Sequence, residues 1–444
     1  MLTILTFLFC IIFIVITSTR FKVHPFLSLL VAAFLFGLFT GMPLDQIIES
    51  VNTGFGGTIG NIGIIIVAGI IIGAFLENSG GAQTLAGFVL KLVGKKRVHT
   101  AMGIIGYIVS IPVFADSGFV ILSSLNRALT KKAKLSLAGT AVALALGLIA
   151  SHTMVPPTPG PIAAAGILNA DLGLVILIGF VTSIFGLIVS IFFSKKIGKK
   201  IYIDPDFGKG TVVEENTNTY QPPVLKSFLP ILIPIVLIVL RSVAEFPTHP
   251  FGEGNLKSII GFIGHPVVSL FIGVLVALLL PEKFNKDMLS TTGWVGDALK
   301  SAAIIILITG AGGAFGKVLQ NSEMATLLGD NLRGSGFGLW LPFIIAAAIK
   351  TAQGSSTVAL ITTASIVAPL LAPMGFETEL SKAMVVIAIG AGSAVVSHAN
   401  DSFFWVVTQM SGMNINQGYR TQTLGSAFLG FSSIIFLTVL NLFF

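Results

Sequence analysis

Apolar runs long enough, or nearly long enough, to span a bilayer recur along this chain. They lie at about 3–19, 23–41, 59–76, 135–151, 172–193, 227–243, 262–281, 298–316, 382–397 and 422–443. A membrane helix needs roughly 20 predominantly apolar residues. Charged residues make up 10% of the chain, against about 25% in a soluble domain, so lipid must cover the surface that charge cannot. The 49 glycines and 19 prolines suit membrane helices, in which both are more frequent than in soluble ones. The net charge of +7 is read as Lys and Arg marking cytoplasmic loops. No basic face interleaved with aromatics suggests nucleic acid as a partner. Cys10 is the single cysteine, which excludes an intramolecular disulfide.

The opening segment has no positive n-region and no small-residue cleavage site. Arg20 and Lys22 follow its apolar run, so it reads as a retained first span with the N-terminus outside. Further along, apolar sequence is interrupted at PVFADSGF within 99–126, at PPTPGP within 152–171, at TAQGSS within 337–373 and at HANDSFF within 398–413. Spans and interruptions together predict roughly 10–12 crossings plus re-entrant pieces. The polar stretch 194–226, with Lys195, Lys196, Lys199 and Lys200, reads as a cytoplasmic linker. It separates a first transmembrane repeat, 1–193, from a second, 227–444.

The two halves resemble each other. His24-Pro25-x-x-Ser28-Leu29 recurs as His265-Pro266-x-x-Ser269-Leu270, and Gly73-Ala74-Phe75 as Gly313-Ala314-Phe315. Ser151-His152 recurs as Ser397-His398, and Gly166 of GILNADLG matches Gly412 of GMNINQG. The order is the same each time and the offset nearly constant, which indicates duplication. The first His-Pro segment follows Arg20 and Lys22 and starts inside. The second follows one outward span from the linker and starts outside. The expected fold is therefore an all-α polytopic membrane protein of two inverted repeats with re-entrant hairpins and broken helices.

Matching interruptions in such repeats point to the binding site. One pair is 114–118 (FADSG) with 352–357 (AQGSST). A helix that restarts there presents free N–H groups and a positive dipole end, suited to a carboxylate. Ser117, Gly118, Gly354, Ser355, Ser356 and Thr357 are expected substrate contacts, although small residues also serve close helix packing. The second pair is 151–161 with 397–402, where prolines forbid a continuous helix. It adds Thr153, Thr158, Asn400 and Ser402 as contacts. Asp116 and Asp401 lie deep in apolar sequence, where a carboxylate is costly and usually functional. With His152 and His398 they are candidate proton-coupling residues. The plainer reading makes each Asp an acceptor for backbone N–H groups and each His a satisfied core residue. Lys350 either faces an anionic substrate or snorkels to the surface.

Taken in order, FKVHPFLSLL at 21–30, PVFADSGFVIL at 112–122, HTMVPPTPGP at 152–161, GAGGAF at 310–315, GSSTVA at 354–359 and SHANDSFFW at 397–405 resemble the gluconate permease (gluconate:proton symporter) family, within a wider superfamily of ion transporters. The resemblance spans essentially the whole chain. It implies proton-coupled uptake of gluconate or a related sugar acid across the bacterial inner membrane, with no cofactor. By analogy of fold it implies an elevator-like motion of a transport domain against a scaffold. Ala115 and Ser117 flank Asp116 where members often carry Phe and Val, and Thr158 stands where a His often follows the paired prolines. These departures bear on which acid is carried. A smaller hydroxy-monocarboxylate or a D-serine-like substrate is the alternative, and a homodimer is expected.

Other classes fit less well. Zinc-protease and phosphate-loop motifs are absent. A Ser–His dyad stays open as chemistry, but catalysis seldom needs two symmetric copies. A channel predicts rings of one charge or a filter. A sodium-coupled carrier is the nearest rival, because helix-end carbonyls with Asn400, Asp401 and Ser355 suit Na⁺. On the proton-coupled reading, Asp401→Asn abolishes proton-driven uptake and leaves the fold intact.

Overall fold

The computed structural model describes residues 2–94, 97–206, 220–245, 250–322, 338–398 and 401–443. Asn400 lies outside them. Among the described residues no strand occurs. The first half runs α1 (Leu2–Thr19), α2 (Pro25–Phe39), α3 (Leu44–Asn78), α4 (Gly81–Val93), α5 (Val98–Val109), α6 (Ala115–Lys132), α7 (Leu137–Met154), α8 (Pro159–Leu168) and α9 (Leu172–Lys200). The second runs α10 (Val224–Ala244), α11 (Asn255–Ile263), α12 (Pro266–Ala277), α13 (Trp294–Asn321), α14 (Trp340–Gln353), α15 (Ser356–Val367), α16 (Glu379–Ala394), α17 (Ser402–Met410), α18 (Ile415–Gly418) and α19 (Leu424–Leu440).

Sequence explains most of the boundaries. His24 and His265 each precede a proline at the first helical position, where its missing N–H costs nothing, so α2 and α12 start alike. Helix α9 continues through Lys200 and α10 begins at Val224, so both ends of the 194–226 polar stretch are helical. Lys199 and Lys200 sit in the last turn of α9, where cations oppose the negative end of the helix dipole. Among the described residues, six stretches are long and apolar enough to cross a membrane. A seventh results if α11 and α12, bent by 61°, count as one. The apolar runs are more numerous than these stretches, because those at 23–41, 262–281 and 382–397 form helices of only 15, 12 and 16 residues (α2, α12 and α16). Large apolar side chains such as Phe192, Phe271, Phe428 and Ile435 remain exposed, as lipid contact requires.

The halves pack as counterparts. Helix α5 lies on α7 and α14 on α16; α7 lies on α9 and α16 on α19. Across the halves, α2 packs on α13 and α12 on α3. The long helices α3 and α13 cross at Gly54 and Gly313, where a Cβ on Gly54 would meet the Gly313 carbonyl at 2.5 Å. Gly73 lies against the first interruption, and a Cβ there would sit 2.2 Å from the Pro112 carbonyl oxygen.

Candidate functional site

Four interruptions build the site. In the first half, α5 stops at Val109 and α6 restarts at Ala115, with no side chain capping its first N–H groups. Helix α7 stops at Met154 and α8 restarts at Pro159. In the second half, α14 ends because Gly354 adopts a left-handed conformation (φ 88°). Ser355, extended, then caps α15 by accepting the Val358 N–H at 3.3 Å. Helix α17 begins at Ser402, with Asp401 Oδ1 accepting the Phe403 N–H at 3.0 Å.

These pieces surround one cavity of about 410 Å³. Its walls come from Phe114–Asp116, from Gln353–Val358, from Ile149 and His152 of α7, from Asp401–Phe403, and from Ile304, Ile305 and Ile308 of α13. The N-terminal turns of α6, α15 and α17 all border it. The uncapped start of α6 and the N–H groups of α15 that Ser355 leaves free, with their dipole ends, make these walls attractive to an anion. Three buried polar atoms have no partner among the described residues: Asp116 Oδ1, His152 Nδ1 and Gln353 Nε2. Buried polar atoms are nearly always satisfied, so three orphans on one cavity are a set of vacant hydrogen-bonding positions.

Asp401 is different. Its Oδ2 lies 2.7 Å from Lys350 Nζ, and both residues are buried, at 5% and 2% exposure. The Ser397 hydroxyl donates to the same oxygen at 2.5 Å, and Lys350 also donates to the Gly354 carbonyl. Lys350 therefore does not snorkel. The backbone around Ser397 is fixed from the side: Ser426 Oγ accepts its N–H at 2.9 Å and the Thr423 hydroxyl donates to its carbonyl at 2.5 Å. Thr423 closes a π-helical turn, Tyr419–Thr423, a local widening frequent at functional places. The two halves are tied together here. Arg127 of α6 donates to the Met410 carbonyl at the end of α17. Phe119 meets Phe403 edge-to-face at 6.1 Å.

Comparison with known proteins decides the family. The sequence model described as GntP family permease matches residues 2–443. The chain is 33% identical to a gluconate permease of Pseudomonas aeruginosa, over 97% of this chain and 95% of that one. It is 34% identical to the D-serine transporter DsdX of Escherichia coli, over 94% of this chain and 93% of that one. This chain belongs to the GntP permease family. It is a multi-pass membrane transporter rather than an enzyme. Its fold is also that of a solved structure, the YdaH transporter of Alcanivorax borkumensis, with a TM-score of 0.60, 17% identity and 90% of each chain covered.

In this GntP-family permease, the expected residues divide by geometry. Asp116, His152, Gly354, Ser355, Ser356, Thr357, Asp401 and Ser402 border the cavity. Ser117 turns away and meets the Glu77 carboxyl group beside a smaller, 230 Å³ cavity. Gly118 lies against Leu148, so its lack of a side chain serves packing. The Thr153 and Thr158 hydroxyls donate to the carbonyls of Ile149 (3.0 Å) and Val155 (2.7 Å) and do not border the cavity. His398 Nε2 is 2.8 Å from the Thr351 carbonyl oxygen, also off the cavity wall. Residues not expected as contacts include Gln353, Phe114 and the α13 isoleucines. Lys350 offered a legible signal: it stands one helical turn before a glycine stop, where a cation can reach the last carbonyls.

Proposed function

We propose that this permease carries gluconate, or a related sugar acid or small hydroxy-monocarboxylate, into the bacterial cell in symport with protons. The observation that carries the reading is the 410 Å³ cavity, in which three helix N-termini meet three unpartnered polar atoms. A pocket of this size suits a small organic ligand. The substrate carboxylate docks on the N–H groups at Ser356 and Thr357 and at the start of α6. Its hydroxyls reach His152, Gln353 and Ser402. Asp116 is the favoured proton carrier, since its Oδ1 is unpartnered while Asp401 is held by Lys350. Protonating it neutralises a loaded site that must cross a low-dielectric barrier.

The wider reading is a chain in the cytoplasmic membrane with its N-terminus outside. Residues 1–193 and 227–444 form inverted repeats joined by 194–226, and the working unit is a homodimer. Scaffold and transport domains slide past one another. The matched element order and the reciprocal packing of α2 on α13 and α12 on α3 support the repeats.

The test is uptake of labelled gluconate into proteoliposomes under an inward proton gradient without sodium. Accumulation that a protonophore collapses is the expected result; uptake indifferent to the proton gradient defeats it. D-serine is a second reading, favoured by the D-serine transporter among the relatives and by the unpartnered Asp116, which suits an ammonium group. Competition decides: D-serine that displaces gluconate weakly keeps the first reading, and D-serine that alone is accumulated replaces it.

A further inference from the structure

Broken membrane helices create two kinds of vacancy. Half-helix N-termini receive anions, while half-helix C-terminal carbonyls with a nearby carboxylate receive a cation. The second half of this permease has both. The end of α14 offers the Gly354 carbonyl, Asp401 offers Oδ2, and Ser397 offers a hydroxyl to the same carboxylate. Carbonyl, carboxylate and hydroxyl oxygens are the hard ligands that hold an alkali or alkaline-earth cation. A cation is already there, carried on the chain: Lys350 Nζ sits between Gly354 O and Asp401 Oδ2, with its side chain 3% exposed.

The first half shows that a helix break can be held together without this charge. At the matching end of α5, Ser110 donates its hydroxyl to the Val113 carbonyl at 2.9 Å. Burying an ammonium is costly even when paired, so its presence at only one of two like places calls for a role beyond capping. Its position gives it one. The pair adjoins the cavity wall at Gly354 and Asp401. It also stands within electrostatic reach of Asp116 and His152, the charged and titratable groups facing it from α6 and α7.

We propose that Lys350 is a tethered cation filling the site that a mobile sodium ion would otherwise occupy, so that transport is indifferent to sodium and the proton is the coupling ion. This rests on reading the cavity as the transport site. Lys350 acts through Asp401 and the α14 end, and is a positioning residue for the coupling chemistry.

The experiment compares the wild-type chain, Lys350→Ser and Lys350→Arg in proteoliposomes. Gluconate uptake is measured with sodium or choline outside, each with and without a proton gradient. Thermal unfolding of the detergent-purified proteins is followed in sodium and in choline. Wild type and Lys350→Arg are expected to be sodium-indifferent in both readouts. Lys350→Ser, which copies the hydroxyl of the first half and vacates the oxygens, is expected to lose proton-driven accumulation. Sodium should then raise its unfolding temperature by at least about 2 °C and restore uptake severalfold. Sodium-stimulated uptake by the wild type overturns the proposal even if Lys350→Ser does not fold. A folded Lys350→Ser that keeps wild-type, sodium-indifferent accumulation overturns it as well. Failure of the wild type to take up gluconate under any gradient counts against the sugar-acid reading instead, and unfolding in sodium still reports on Lys350.

Discussion

The two main interruptions solve one structural problem with different chemistry. Around 110–116 the break is bridged internally by a neutral hydroxyl, Ser110 to the Val113 carbonyl, and the carboxylate there, Asp116, keeps an oxygen unpartnered. Around 350–357 the helix end is closed by an ammonium, and the carboxylate beside it is tied to Lys350, Ser397 and the Phe403 N–H. Two similar breaks can therefore divide the labour of one site. One half supplies a free acid to the cavity, and the other supplies a fixed electrostatic frame.

The strongest way to break this comparison is to make the same substitution on both sides. Asp401→Asn leaves a buried ammonium without its counter-charge, and breaking a buried pair from one side costs about 3–5 kcal/mol. A large drop in unfolding temperature and in folded yield is expected. This differs from what sequence alone suggests, which is a folded but uncoupled protein. Asp116→Asn removes no ion pair, so stability should stay within about 1 kcal/mol of wild type while proton-driven accumulation is lost. Equal instability of the two variants would erase the distinction. Next in size is Gly73→Ala, whose Cβ meets the Pro112 carbonyl oxygen. Crowding of this kind costs about 1–3 kcal/mol, read as a lower unfolding temperature with reduced uptake. Ser356→Ala, at the cavity wall, should raise the KM for gluconate by about tenfold or less, the loss of roughly one hydrogen bond. Ser117→Ala should change it by less than about twofold, as expected of a group that does not contact substrate.

The sequence displayed the interruptions clearly, because Gly, Pro and Ser inside apolar runs have few other uses. Asp116 and Asp401 were legible for the same reason: a carboxylate in lipid-facing sequence is conspicuous. What pattern reading could not deliver was direction. Ser117 follows Asp116 by one residue, yet a step of one along a helix turns a side chain by about 100°, and it meets Glu77 rather than the cavity. Thr153, within α7, and Thr158, just before α8, bond to carbonyls four and three residues earlier, a local option open to threonine in a helix or at its end. The pairing of Lys350 with Asp401 joins positions 51 residues apart, and only the folded chain reveals it.

Helix α8 packs on α15, and α17 packs on α6, so the first and second halves of the chain grip each other beside the cavity. The cavity itself draws on both: Asp116 and His152 from the first half, Gly354, Ser356 and Asp401 from the second. Neither half encloses it alone. Removing or displacing either half would therefore abolish the ligand's surroundings as a whole rather than weaken one wall.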